Sequence, residues 1–309
     1  MIELKARVEF DPGTRGWCYI AEEYGLSKGD FERAMALIID SRKNGLLPLD
    51  FIGDDAPRAF INVEKLDAAD PEDQAQRVVN YVDKVHTHYD PLSLWEHQDD
   101  YVEMLVEKVG LRNLFRPVCE QYHVALGNTR GCWSISMRVD LLSRLASWQG
   151  RGKRCVLLYC GDHDVHGLRI SRDIRSNLED LLPAFRATYP ECEEFDLDAV
   201  VIDRFGLNAD FIKKNRLSWT ENLITGSGKD LGDPAHGIHW NHDVQAYIKR
   251  FGARKVEADA LVTRPDAGRA LCEAAIRRYV DDDGIKKFER AVKRERKQMR
   301  AALDRLLGR

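Results

Sequence analysis

Several things are missing from this chain of 309 residues. No apolar run approaches the roughly 18 residues that a membrane span requires, and Met1 to Phe10 carries charges where a secretory leader would be apolar. No C-x-x-C pair occurs: Cys18, Cys119, Cys132, Cys155, Cys160, Cys192 and Cys272 are odd in number and scattered, unlike a disulfide framework. There is no internal repeat, no low-complexity tract and no glycine-rich phosphate loop. These absences argue against membrane-spanning, disulfide-stapled, solenoid and P-loop classes. The expectation is a cytoplasmic chain whose cysteines are reduced thiols, mostly packing residues.

A uniformly basic coat is missing too, since 47 Lys and Arg face 51 Asp and Glu for a net charge of −4. With 44% hydrophobic and 32% charged residues the chain reads as globular, long enough for two domains with cores of their own. The sum hides one asymmetry. From Ile285 to Arg309 basic residues heavily outnumber acidic ones, while Phe288, Ala291, Val292, Met299, Leu303, Leu306 and Leu307 form one stripe. This segment, 285–309, is expected to be a basic amphipathic helix that packs, dimerises or touches phosphates without reading sequence.

Residues 1–70 have the look of a small helical or winged-helix domain. Trp17, Ile20, Ala21 and Tyr24 recur at helical spacing, as do Phe31, Ala34, Met35, Ile38 and Ile39. Gly25 suits the end of the first helix, and Gly45-Leu46-Leu47-Pro48 a turn into an extended wing. Asp54 to Pro71 reads as a surface connection, and residues 71–100 as a linker with a helix near Gln74 to His86. From 101 to 284 short apolar runs (Met104–Val106, Val124–Leu126, Cys155–Cys160, Ala199–Ile202) alternate with helical stretches (Gly110–Tyr122, Ser134–Trp148, Leu168–Leu182, Asp243–Phe251, Asp266–Tyr279). That alternation predicts an α/β domain with a Rossmann-like parallel sheet covered by helices.

Ligands of such sheets bind at the carboxyl ends of strands. There lies Gly161-Asp162-His163-Asp164-Val165-His166-Gly167, directly after the Cys155–Cys160 run, with Glu107 in the matching place after Met104–Val106. In extended chain, Asp162 and Asp164 point the same way, and converging hard oxygens make a Mg²⁺ site. By themselves, two acids after a strand fit a capped helix start equally well. On the first helix, Arg15 and Tyr19 fall opposite the apolar stripe. A phenol beside an arginine can be a nucleophile whose target phosphate the arginine holds, or simply an exposed tyrosine. His236, His239 and His242 could bind Zn²⁺ only if the backbone turned them together.

Val106-Glu107-Lys108, Asn128-Thr129-Arg130-Gly131 and Gly161-Asp162-His163-Asp164 with Gly167, in this order, resemble the Toprim domain of the topoisomerase VI A subunit family, which includes the meiotic double-strand-break protein. The likeness covers most of Tyr101 to about Leu182. It departs at Val165-His166, where relatives often have Pro-x after the second acid. Thr14-Arg15-Gly16-Trp17-Cys18-Tyr19 looks like the family's Arg-x-x-Tyr-Tyr motif on a winged-helix (CAP-like) domain, with Cys18 where a first tyrosine is common. Gly252 to Leu261, with Glu257-Ala258-Asp259-Ala260-Leu261, is similar to a Glu-x-Asp-Ala-Leu stretch of compact Mini-A relatives; read plainly, it is a structural strand and turn.

The resemblance implies Glu107, Asp162 and Asp164 as ligands of Mg²⁺, with Mn²⁺ as a substitute, and Tyr19 as the DNA nucleophile assisted by Arg15. It further implies a homodimer that cuts both strands of double-stranded DNA and stays on the 5′ ends, with a separate ATPase partner for strand passage. Two other readings stand beside it: a hydrolytic Toprim nuclease in which water attacks, and a noncatalytic DNA-binding subunit. Lys108 and His166 are candidates for a general base.

Overall fold

The apolar runs Met104–Val106 and Cys155–Cys160 become the two central strands of a parallel sheet in the computed structural model, which describes residues 1–5, 8, 12–48, 51–52, 70–129, 134–225 and 228–308. Strands β1 (Asp100–Val106), β2 (Ala125–Asn128), β3 (Arg154–Cys160) and β4 (Val201–Gly206) are ordered β2-β1-β3-β4, all parallel. β1 is buried along its whole length and β3 from Cys155 onward. A central parallel strand is covered on both faces, so its sequence reads as a nearly unbroken apolar run, and that is what made both strands visible. The helices Val109–Gln121, Ile135–Gly150 and Ile170–Glu179 follow β1, β2 and β3 in turn. The expected α/β architecture with a Rossmann-like parallel sheet is therefore present.

β1 carries two buried carboxylates that neighbours satisfy, Asp100, which accepts two hydrogen bonds from the Arg154 guanidinium, and Glu103. Glu103, 3% exposed, accepts two hydrogen bonds of 2.8 Å from the Arg144 guanidinium and one of 2.7 Å from the Tyr101 hydroxyl. Tyr101 in turn stacks on Trp148, with ring centroids 5.2 Å apart. A helix and a strand are thus held together by a planar, two-pronged ion pair as well as by apolar packing.

Before β1 the described residues contain helices Ile2–Lys5, Thr14–Glu22, Phe31–Lys43 and Pro71–Lys84, the last where a helix near Gln74 to His86 was expected, and no strand. The wing expected after Gly45–Pro48, and nearly all of the Asp54–Pro71 connection, lie outside the described residues. Gly25, at φ +98°, follows the first helix as expected.

One expectation about this helix is overturned. Its supposed free side is not free: Trp17, Cys18, Tyr19 and Ile20 are all buried, whereas Tyr24 is 66% exposed. Two neighbours cover the helix. On one side Trp17 stacks on Phe51 at 4.4 Å and Tyr19 meets Phe31 edge-on at 5.0 Å. On another, a Cβ at Gly16 would lie 3.7 Å from Val262 of the 3₁₀ turn Ala258–Thr263. Tyr24 lies past the last helical residue, Glu22, so helical projection did not apply to it.

The chain divides into two compact units, Met1–Asp54 with Asp100–Tyr279, and Asp55–Asp99 with Val280–Arg309. This differs from the sequential order 1–70, 71–100, 101–284 and 285–309, because the C-terminal helix Asp282–Leu306 returns to the segment before β1. Within the second unit Phe288 and Val292 pack on Leu94, and Gln98 exchanges hydrogen bonds of 2.7 and 3.0 Å with the backbone of Asp281. The apolar stripe is buried at Phe288 and Val292 and ends in solvent at Leu306.

Replacing Arg144 with Met leaves the Glu103 carboxylate buried without its cation. Because the Arg144 side chain is itself 46% exposed, the expected loss lies between that of an exposed and a buried pair, about 2 kcal/mol by urea unfolding. Adding Glu103→Gln to Arg144→Met should recover part of it. Equal stability of the Arg144→Met variant and the wild type would show that the pair is not structural.

Candidate functional site

The in-register pairing of β1 and β3 sets Val106 beside Cys160, so the residues that follow each strand emerge together at the carboxyl edge of the sheet. The Glu107 backbone N–H continues the ladder to the Cys160 carbonyl at 3.1 Å, which places the Glu107 carboxylate against the turn after β3. Its Oε2 accepts the Asp162 backbone N–H at 2.9 Å. Lys108 Nζ lies between the two acids, 3.2 Å from Glu107 Oε1 and 3.1 Å from Asp162 Oδ2. Asp162 Oδ1 accepts the backbone N–H of Ala258 at 2.7 Å.

At residue 163 the chain is extended: His163 and Val256 exchange backbone hydrogen bonds of 2.8 and 3.1 Å in a single antiparallel bridge. The His163 ring turns away into the core, its Nδ1 3.0 Å from the Leu207 carbonyl. Asp162 and Asp164, on either side of it, both line one cleft of about 860 Å³. Asp164 is held differently from Asp162. Its Oδ1 accepts the Gly167 N–H at 2.6 Å, which closes the turn leading into the 3₁₀ helix Gly167–Arg169. A side chain at 167 would collide with the Asp162 carbonyl oxygen.

The same cleft is lined by Arg15, Lys108, His166, Glu257 and Asp259. Glu257 is the residue on which the candidate nucleophile and its arginine converge. Arg15 grips it through Nε–Oε2 at 2.6 Å and Nη2–Oε1 at 2.8 Å, Tyr19 donates its hydroxyl to Oε2 at 3.0 Å, and Lys255 Nζ lies 3.6 Å from Oε1. Arg15 is therefore engaged with a carboxylate within the chain, and Tyr19 is a buried hydrogen-bond donor rather than an exposed phenol.

Electrostatics follow from this crowding. Burial, then repulsion from Glu107, pushes the Asp162 carboxyl well above the usual range against the opposing pull of Lys108 and the Ala258 N–H. Burial works to lower the Lys108 pKa, but Asp162 and Glu107 outweigh it and hold the ammonium charged. Burial raises Asp259 to about 6, although Lys108 opposes this. Burial also works to raise Glu257, yet Arg15, Lys255 and the Tyr19 hydroxyl keep it below its ordinary value. Tyr19 is pushed far above a normal phenol by burial and then by the Glu257 charge.

The sequence thus indicated five residues that the fold brings to one region, Arg15, Tyr19, Glu107, Asp162 and Asp164. It missed the parts played by Glu257 and Asp259. Their stretch does form the strand-like bridge and turn of the plain reading, but it delivers both carboxylates to the site. In the Asn128–Gly131 motif, Thr129 is buried with its N–H on the Val106 carbonyl at 2.9 Å, and Arg130 and Gly131 lie outside the described residues. The three histidines do not converge: His239 is buried with Nδ1 2.9 Å from the Leu231 carbonyl, while the His242 side chain is 95% exposed. Among the described residues no group of three or more His, Cys, Asp or Glu is arranged to hold a metal ion, and no helix is long and apolar enough to cross a membrane. No family model, curated protein or solved structure matches the chain.

Spectrophotometric titration of the native protein from about pH 9 to pH 12, across the usual phenol pKa of about 10, should superimpose for the wild type and Tyr19→Phe. Tyr19, held protonated by burial and by Glu257, contributes no phenolate there. A step that disappears in Tyr19→Phe would put this phenol in solvent.

Proposed function

We propose that the chain cleaves phosphodiester bonds of DNA at this acidic cleft, in the manner of the topoisomerase VI A subunit family and with Tyr19 as the nucleophile. The observation that carries the reading is the convergence of Glu107 and Asp162, from the ends of neighbouring strands, on one cationic nitrogen at 3.2 and 3.1 Å. The cleft where they meet is also lined by Asp164 and Arg15.

Two hard oxygens that already share a cation, with further carboxylates on the same cleft, suit Mg²⁺ or Mn²⁺ in donor chemistry. Glu107, Asp162 and Asp164 would hold the ion, and Lys108, whose side chain is 33% exposed, would withdraw into the cleft. Bound there, the ion supplies polarisation of a phosphate oxygen. Tyr19 has a proton acceptor in place, Glu257 Oε2. The phenol gives its proton to Glu257 and its oxygen attacks phosphorus, forming a 5′-phosphotyrosyl bond and breaking the bond to the 3′ oxygen, which takes a proton from solvent to leave a 3′ hydroxyl. Arg15, released from Glu257, would offset the charge that develops on the phosphate. Cutting both strands takes two copies of the chain, and strand passage a separate ATPase partner.

The burial of Tyr19, 1% exposed, favours a second reading. In it, water attacks at the carboxylate edge, no adduct forms, and the Tyr19–Glu257 hydrogen bond is structural. In the first reading the cover over Tyr19 must open before attack.

Supercoiled DNA incubated with the protein and Mg²⁺ or Mn²⁺, quenched with denaturant and resolved with and without protease, separates the two. Breaks whose 5′ ends carry protein, lost in Tyr19→Phe, are the expected result. Free ends, with cutting retained in Tyr19→Phe, would establish hydrolysis. Asp162→Asn should slow cleavage by about 10³-fold in either case, the several kcal/mol a metal site contributes. DNA bound but intact under every condition would leave only the noncatalytic reading.

A further inference from the structure

Among the described residues, every inward-facing charged group on the cleft has a partner except one. Glu107 and Asp162 share Lys108, Glu257 is gripped by Arg15, Lys255 and Tyr19, and Asp164 caps the turn at Gly167. Asp259 lines the same cleft, is 8% exposed, and accepts no hydrogen bond and forms no ion pair among the described residues. A buried carboxylate with no partner is destabilising, and such groups are found where a cation completes them. The backbone aims it: the turn Ala258–Thr263 is pinned by the Ala258 N–H on Asp162 Oδ1, one residue before Asp259. Space is left for it as well. A Cβ at Gly110, in the first turn of the helix after Glu107, would lie 2.8 Å from Asp259 Oδ1.

We propose that Asp259 is a further oxygen ligand of the divalent cation, which it approaches from the turn Ala258–Thr263 across from Glu107 and Asp162. The inference rests on the metal-dependent reading of the cleft. Lys108 lies between Glu107 and Asp162 and feels the Asp259 charge without pairing with it, and all three acids line the one cleft that holds this ammonium. The simpler role for Asp259, an anion resting on the start of the helix Val109–Gln121, would bring a hydrogen bond from an N–H of its first turn, and none is made.

Mn²⁺ binding to the full chain, followed by the electron paramagnetic resonance of the free ion, tests this. Asp259→Asn should weaken Mn²⁺ binding by about tenfold or more, at least what is lost when a group supporting a metal ligand is removed, while Glu107→Gln weakens it at least as much. Gly110→Ala, which pushes the Asp259 carboxylate aside without removing it, should also weaken binding. In metal-free protein Asp259→Asn should raise the thermal midpoint, and the rise that Mn²⁺ adds should shrink; a purely structural Asp259 would give a lower midpoint instead. Unchanged Mn²⁺ affinity in Asp259→Asn, with binding lost in Glu107→Gln, overturns the proposal and leaves the metal reading standing. No Mn²⁺ binding by the wild type, or equal binding by all variants, overturns both. Should Asp259→Asn fail to fold, Gly110→Ala decides, and wild-type affinity in it refutes the assignment.

Discussion

The parallel register of β1 and β3 is the constraint on which the site depends. Seven paired positions run from Asp100 with Arg154 to Val106 with Cys160, and the ladder continues past the strand ends through the Glu107 N–H on the Cys160 carbonyl. On the other side, Gly161 and Gly206 extend the pairing toward β4, and the Leu207 N–H returns to the Gly161 carbonyl at 2.9 Å. These are bonds between backbone groups in a covered sheet, where an unmade bond is expensive. They do not depend on the charge of the acids they present. The scaffold can therefore hold several carboxylates at close quarters without relying on their mutual preference, which is repulsion.

That repulsion is met in two local groups joined by one turn. Lys108 serves Glu107 and Asp162; Arg15 and Lys255 serve Glu257. The turn that follows Val256 supplies Glu257 to one group, the Ala258 N–H to the other, and Asp259 facing the cleft. A shift of this turn would change the Tyr19 hydrogen bond and the Asp162 environment together, since consecutive residues hold both. The helix Thr14–Glu22 packs on the same turn, which makes the placement of the phenol and that of the sheet-edge acids one structural question.

Much of the fold was legible because its signals are local. The strands showed as apolar runs and the helices as periodic stripes, and Asp162 and Glu107 stood out by position, directly after such runs. The environment of Tyr19 was not legible. Its partner Glu257 lies 238 residues away, and a helical projection of residues 14 to 24 carries no information about a distant turn that covers the far side. The same distance hid Glu257 and Asp259, whose stretch reads as an ordinary strand and turn until it is seen packed against the first helix and the sheet edge.

The sequence by itself determined the alternation of strands and helices, the place of the acids at strand ends, and the residue types available for chemistry. These follow from side-chain periodicity and from the chain order of short segments. Only the tertiary structure decided that Lys108 balances Glu107 and Asp162, that Arg15 and Tyr19 are committed to Glu257, and that Asp259 has no partner among the described residues. Each depends on which segments meet in space, and so on long-range packing and the burial it imposes on charge.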